Sequence, residues 1–206
     1  MSMVDFAPGF SFDKAALPPV QVWRLSVDQY EEMVRAGILT ENEPVELLDG
    51  WLVPTMPKKP LRVLATELVR DALSKAIPDG WHVNSQEPLR LSTSEPEPDA
   101  MVVRGSRRDY LDRLPEPAEV AFIVEVADTS LEQDRGFKKA IYAGAAVAVY
   151  WIVNLVERQV EVFTSPNATV GEPDYRQHHV FALGDEVPVV IAGREIGRIA
   201  IRDLLP

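Results

Sequence analysis

The sequence predicts an α/β fold, or α+β with a mixed sheet. Three observations carry that expectation. AFIVEVA (Ala121–Ala127), with the one acid Glu125, and VAVYWIV (Val147–Val153), with none, are apolar runs, the pattern of strands covered on both faces. A helix-like segment separates them, so they should be joined by a right-handed parallel crossover. VELLDGWLV places two short apolar strands around Asp49-Gly50, a strong signal for a type I′ hairpin.

The elements follow in order. Residues 1–22 hold Pro8, Gly9, Pro18 and Pro19 without a period and read as a loose arm. Ser26–Leu39 reads as a short helix, with Ser26 as N-cap and Gly37 near its end. After the hairpin and a Pro-punctuated loop, Leu61–Ile77 has Leu61, Leu64, Ala65, Leu68, Ala72 and Ile77 at helical spacing, and Pro78, Asp79 and Gly80 end it. WHVNSQ and PLRLS are strand candidates, SEPEP a rigid acidic loop, and Asp99–Val103 a short apolar strand. Pro115 and Pro117 mark a linker before the strongest strand, EVAFIVEVA. Thr129 or Ser130 can cap the next helix, with Glu132 or Gln133 at capping-box spacing, and this helix should run to about Gly144. VAVYWIV and QVEVFTS follow, joined through Leu155–Arg158. The chain thus divides into the arm, a core over residues 23–166, and a β-rich C-terminal extension of the same domain over residues 167–206.

A chain of 206 residues with 46% hydrophobic content suits one compact domain. There is no cysteine, which excludes disulfides and thiolate metal sites and fits a reducing cytoplasm. The N-terminus lacks a basic region followed by an apolar core, and no run approaches the roughly 20 apolar residues of a membrane span. A net charge of −11 disfavours a broad nucleic-acid surface, although Arg104, Arg107, Arg108 and Arg113 cluster in one stretch that reads by default as a solvated loop.

Several charged residues are candidates for chemistry. Pro98 has no N–H to give a ladder, so Asp99 should stand at the mouth of the sheet. Glu125 alternates with Ile123 and Ala121 on one face, where an unpaired carboxylate costs several kcal/mol. If the Asp99 and Glu125 strands are neighbours, two acids converge and need a cation, for which a divalent ion with oxygen ligands is the simplest choice. The bland alternatives are a strand-end acid that reaches water or Lys138, a surface Asp134–Lys138 pair continued by Tyr142, and an exposed Glu46 before the hairpin turn. The three histidines, His82, His178 and His179, lack ligand spacing, and no nucleophile elbow, phosphate loop or dinucleotide fingerprint is present.

Taken together, VELLDGWLV, SEPEPDAMVVRGSRRDY, VAFIVEVADTSLEQDRGFKKAIYAGAAVAVYWIVN and GREIGRIAIRDLLP resemble the Uma-two family, bacterial proteins with a restriction-endonuclease-like fold in the PD-(D/E)XK superfamily. The likeness runs from about Val45 to Pro206. It implies a mixed central sheet flanked by helices, with an N-terminal hairpin and a C-terminal β-rich extension. It implies that Asp99 and Glu125 are metal ligands, with Glu46 completing the site around Mg²⁺ or Mn²⁺. The superfamily's lysine two residues after the glutamate is replaced by Ala127, and Lys138 on the next helix matches the family's relocated lysine, supported by Asp134 and Tyr142.

The implied activity is metal-assisted hydrolysis of DNA phosphodiesters by a cytoplasmic enzyme, as a homodimer where both strands are cut; the alternative is a nuclease-fold module that binds nucleic acid or protein without cleaving. The chain departs from the pattern at Arg62, where relatives often carry histidine, at Ala146 and Ala148 in place of Gly and Pro, and at Asn154 in place of Asp.

Overall fold

The computed structural model describes residues 22–40, 43–57, 59–169 and 172–206. All but the last residue of the expected N-terminal arm lies outside them.

Helix α1 (Val27–Arg35) begins with a reciprocal capping box: the Ser26 side chain accepts from Gln29 N–H, and Gln29 returns the bond to the Ser26 amide. Strands β1 (Val45–Leu48) and β2 (Trp51–Pro54) form the expected hairpin. Asp49 and Gly50 have φ of 48° and 79°, the two left-handed conformations of a type I′ turn. The hairpin docks through its backbone. Glu95 N–H donates to Leu47 O at 2.7 Å, Gly50 N–H to Thr93 O at 2.9 Å, and the Asp49 amide to Ser94 Oγ at 2.8 Å.

Helix α2 (Pro60–Ala76) has Pro at its first position, where a missing N–H does no harm. Its buried stripe is Ala65, Thr66, Val69 and Leu73, and Leu61 and Leu64 are exposed. The expected stripe was turned too far round the helix because it followed the leucines; the face that meets the sheet is built from smaller residues.

The main sheet has six strands in the order β3 (Trp81–Asn84), β4 (Ala100–Arg104), β5 (Val120–Ala127), β6 (Val149–Asn154), β7 (Gln159–Asn167) and β8 (Asp174–Ala182). Every pair is antiparallel except β5–β6, the expected parallel crossover. One face carries Ala100, Val102, Phe122, Val124, Trp151 and Val153 against α2 and a hairpin of β9 (Glu186–Ile191) and β10 (Arg194–Ala200). The other face carries Met101, Ile123, Tyr150 and Ile152. The extension after residue 167 is therefore divided, since β8 completes the main sheet and only β9–β10 stands apart.

Three other expectations change. PLRLS is not a strand: Leu89 and Leu91 are buried, and their amides bond to Pro96 O and Ser94 O, so the segment curls on itself and has no ladder to offer. A register shift between Val102 and Val103 breaks the alternation of β5, so Ala121 joins Phe122 on the α2 side and does not share the face of Ile123. The segment after β5 is not one regular helix. It is α3 (Leu131–Gln133), a π turn over Asp134–Lys138, and α4 (Lys139–Gly144). Ser130 stands at the N-cap without a side-chain capping bond, because its hydroxyl is used elsewhere. Ala146 has φ of 58°, so an alanine occupies a conformation that favours glycine at a cost of about 1 kcal/mol.

Candidate active site

Asp99 directly precedes β4. Its strand pairs with β5 so that Ala100 faces Val124, which brings Asp99 opposite Glu125 at the end of the ladder. Asp99 Oδ2 accepts the backbone N–H of Val126 at 2.8 Å, and its own carbonyl accepts the Ser85 hydroxyl at 2.9 Å. The same Oδ2 accepts from Arg62 Nη2 at 2.8 Å. The first turn of α2 thus delivers a guanidinium to the sheet mouth.

Glu125 is completely buried. Its Oε1 accepts from Tyr142 Oη at 2.7 Å and from Lys138 Nζ at 3.2 Å. Its Oε2 is buried with no hydrogen-bond partner. Lys138 also reaches Glu46 Oε1 at 3.1 Å, and Glu46 Oε2 accepts the Glu97 amide at 3.2 Å. Asp134 accepts the Ser130 hydroxyl at 2.7 Å, and Tyr150 Oη donates to the Asp134 carbonyl at 3.2 Å. None of the bland alternatives describes these residues fully. Glu46, Asp134 and Lys138 are all buried, and Glu125 pairs with Lys138 inside the protein, away from water.

The wide turn places Lys138. Short π segments recur at functional sites because the extra residue re-aims side chains. Here Lys138 and Tyr142 converge on one carboxylate oxygen, while Arg135 from the same turn serves another strand.

The electrostatics are unbalanced. With every acid ionised, Glu46, Asp99, Glu125 and Asp134 face two cations among the described residues, Arg62 and Lys138. Burial pushes the Glu125 carboxyl well above the usual range; Lys138 opposes the rise, and Asp134, Asp99 and Glu46 add to it. Asp134 is raised for the same first reason, with Lys138 and the Ser130 bond pulling the other way. Burial would lower Lys138, but the charges of Glu125, Glu46 and Asp134 outweigh it and hold the ammonium. Burial, reinforced by Glu125, keeps Tyr142 a protonated donor.

Among the described residues, no three carboxylate or imidazole side chains come together at metal-binding spacing. Asp99 and Glu125 are the acids at the sheet mouth, and Glu46 meets them through Lys138. The acids and the lysine of the cluster are buried, and neither of two surface concavities, one beside α1 and one between the C-terminal end of α2 and the β3–β4 edge, is lined by its residues. Arg62, with its side chain 14% exposed, is more exposed than Asp99, Glu46, Glu125 or Lys138.

Sequence reasoning missed three contributors. Arg62 stood out only as a departure, Ser130 read as a cap, and Tyr150 went unmarked within the strand VAVYWIV. A signal existed for Arg62 alone, a cation in the first turn of a helix that follows a rigid loop. The other basic candidates stay local: Arg104 lies over the Trp81 ring, Arg107 bonds to Val83 O, and Arg113 pairs with Glu119. His82 bonds to Gly105 O and His178 stacks on Phe163, both away from the cluster.

Comparisons with known proteins agree with this architecture. The model of the Uma2 family, described as "putative restriction endonuclease", matches residues 27–198. Among solved structures, a "putative nuclease belonging to DUF820" from Anabaena variabilis is similar over 87% of this chain and 97% of its own, with a TM-score of 0.65 at 14% sequence identity. That likeness shows a shared fold. No curated protein matches.

Proposed function

The chain belongs to the Uma2 family, and on that premise we propose that it is a metal-dependent endonuclease that hydrolyses DNA phosphodiester bonds. The observation that carries the reading is the Glu125 carboxylate: completely buried, one oxygen without a partner, in a cluster with more acids than bases. Such a site is costly unless a further cation completes it. All-oxygen donors suit Mg²⁺ or Mn²⁺.

Asp99 and Glu125 would hold that ion. We assign Glu46 to the lysine, since it bonds to Lys138 and to the Glu97 amide. When bound, the ion would polarise the phosphate and lower the pKa of an attacking water. The remaining work falls to the chain's own residues. Lys138 stays charged and would neutralise negative charge that develops on the phosphate. Tyr142 and Glu46 fix the lysine and the glutamate in one arrangement, and the Val126 amide fixes Asp99. The reading includes a cytoplasmic location, in keeping with a chain without cysteine, and a homodimer wherever both strands are cut.

The test is cleavage of plasmid and single-stranded DNA with Mg²⁺ or Mn²⁺ by the wild type, Glu125→Gln and Asp99→Asn. Both variants should lose activity while keeping the wild-type circular dichroism spectrum. Equal cleavage by wild type and Glu125→Gln would remove Glu125 from the chemistry.

A second reading has its own observation. Arg62 already neutralises Asp99, and the acids of the cluster are buried. A nuclease-fold module that binds nucleic acid or protein without cleaving would show ion-independent binding and no cleavage in the same assay.

A further inference from the structure

We propose that Arg62 is an exchangeable counter-ion: it holds Asp99 while the metal is absent, and on metal entry releases it and turns its guanidinium to the phosphate of the bound strand. The inference rests on the metal reading of Asp99 and Glu125.

Four observations place the residue in this role. Arg62 Nη2 sits 2.8 Å from Asp99 Oδ2, in the ground a cation on Asp99 would occupy. Its Nε is buried without a partner, so the fork is only partly used where it stands. Five donors in a rigid plane suit a phosphate better than the single oxygen it now contacts. It is the most exposed of the charged groups bonded at the cluster, and so the one freest to turn towards an incoming ligand. Asp99 is meanwhile kept in position without the arginine, because the Val126 amide holds the same oxygen from within the sheet. Exchange therefore needs one side chain to move and leaves the backbone of the site intact.

The charges favour the exchange in both directions. Without an added cation, loss of Arg62 would leave four acids against Lys138 among the described residues. With a divalent ion on Asp99 and Glu125, a guanidinium beside Asp99 would face the ion's positive charge, and an incoming phosphate would offer it a stronger partner.

The experiment is calorimetric titration of Mn²⁺ into the wild type, Arg62→Met, Lys59→Met and Glu125→Gln, followed by binding of a fluorescein-labelled DNA duplex in Ca²⁺. Arg62→Met should bind Mn²⁺ about tenfold more tightly than the wild type, the effect of removing one charge-assisted competitor, and bind the duplex about tenfold more weakly. Lys59→Met removes a cation from the start of the same helix, where it pairs with Asp128. It should leave Mn²⁺ affinity unchanged; an equal gain there would reduce the effect to bulk electrostatics and overturn the proposal. Unchanged Mn²⁺ affinity in Arg62→Met overturns it, as does unchanged duplex binding. Should Arg62→Met fail to fold by circular dichroism, Arg62→Gln, which keeps a polar group at the position, must show the same pair of shifts. Absence of Mn²⁺ binding in the wild type and in every Arg62 variant would instead bring down the metal reading, and this inference with it.

Discussion

Two glutamates sit in one row of the main sheet, and the chain treats them in opposite ways. Glu125 on β5 and Glu161 on β7 are both register partners of Ile152 on β6, and both lie inside a Val-Glu-Val tripeptide. Both are buried. One π turn supplies a cation to each, Lys138 to Glu125 and Arg135 to Glu161.

Glu161 is fully answered. Arg135 grips both its oxygens, Asn154 Nδ2 donates to Oε1 at 2.9 Å, and the same amide reaches Glu157 at 2.8 Å. Burial raises its carboxyl, but the Arg135 and Asn154 bonds more than compensate and bring it below the usual value. Glu125 is left with a bare oxygen and a raised pKa. The tripeptide is the same and neither carboxylate reaches solvent, but Glu161 lies beneath partly exposed partners, and the neighbours differ. A fully paired buried acid fixes structure, whereas an under-paired one is a standing cost that a ligand can relieve.

That contrast can be broken most directly at Arg135. Arg135→Met should lower stability by about 2 kcal/mol in urea unfolding, since Glu161 is left buried without its charge partner and the partly exposed arginine tempers the loss. A change within experimental error would show that Glu161 is no more structural than Glu125.

A sharper form compares the two glutamates. Glu161→Gln should destabilise at neutral pH, and Glu125→Gln should stabilise by about 1 kcal/mol while abolishing ion-dependent cleavage. The pH dependence carries the same sign. Glu161, with its lowered folded pKa, contributes stability above the usual carboxylate value that is lost as pH falls through its folded one. Glu125, with its raised folded pKa, destabilises increasingly as pH rises from the usual value towards the raised one. Thermal unfolding of both variants across the acid range checks this; parallel curves would refute it.

The smallest effect concerns Glu95, a third buried acid of the under-paired kind. Burial pushes it to about 7, with Arg90 opposing and Glu97 adding. The folded state therefore binds this proton more tightly than the unfolded chain does, and stability falls as pH rises from the usual carboxylate range to about 7. Glu95→Gln should remove that slope, worth about 1 kcal/mol, and change nothing in more acidic solution.

Much of this was legible in sequence, for reasons that differ by residue. The parallel crossover followed from two long apolar runs, the first carrying one acid, and the hairpin from Asp49-Gly50, because turn chemistry and strand covering are local properties. That the strands of Asp99 and Glu125 are neighbours stood in sequence only as a condition, and the antiparallel pairing of β4 with β5 supplies it. The π turn was not legible, since Asp134-to-Lys138 spacing fits a regular helix equally well. PLRLS has a strand's composition, and only its lack of a free ladder partner makes it a loop. The role of Asn154 was hidden for a related reason: its amide donates to two carboxylates, which an aspartate there could not do, and both lie beyond the strand that carries it.

The place of Lys138 in the chain also decides when the cluster can exist. Lys138 rides on the crossover, and that crossover is tied to β6, through the Tyr150 hydroxyl on the Asp134 carbonyl and the tilted contact of the Tyr142 and Tyr150 rings at 5.1 Å. An amine two residues along β5 would meet Glu125 as soon as that strand formed. Here the nascent chain must emerge past residue 150 before lysine, glutamate and tyrosine are held together. The order of synthesis itself then separates the making of the acids from the placing of the amine, and a truncated product that ends before β6 carries Asp99 and Glu125 without a fixed amine.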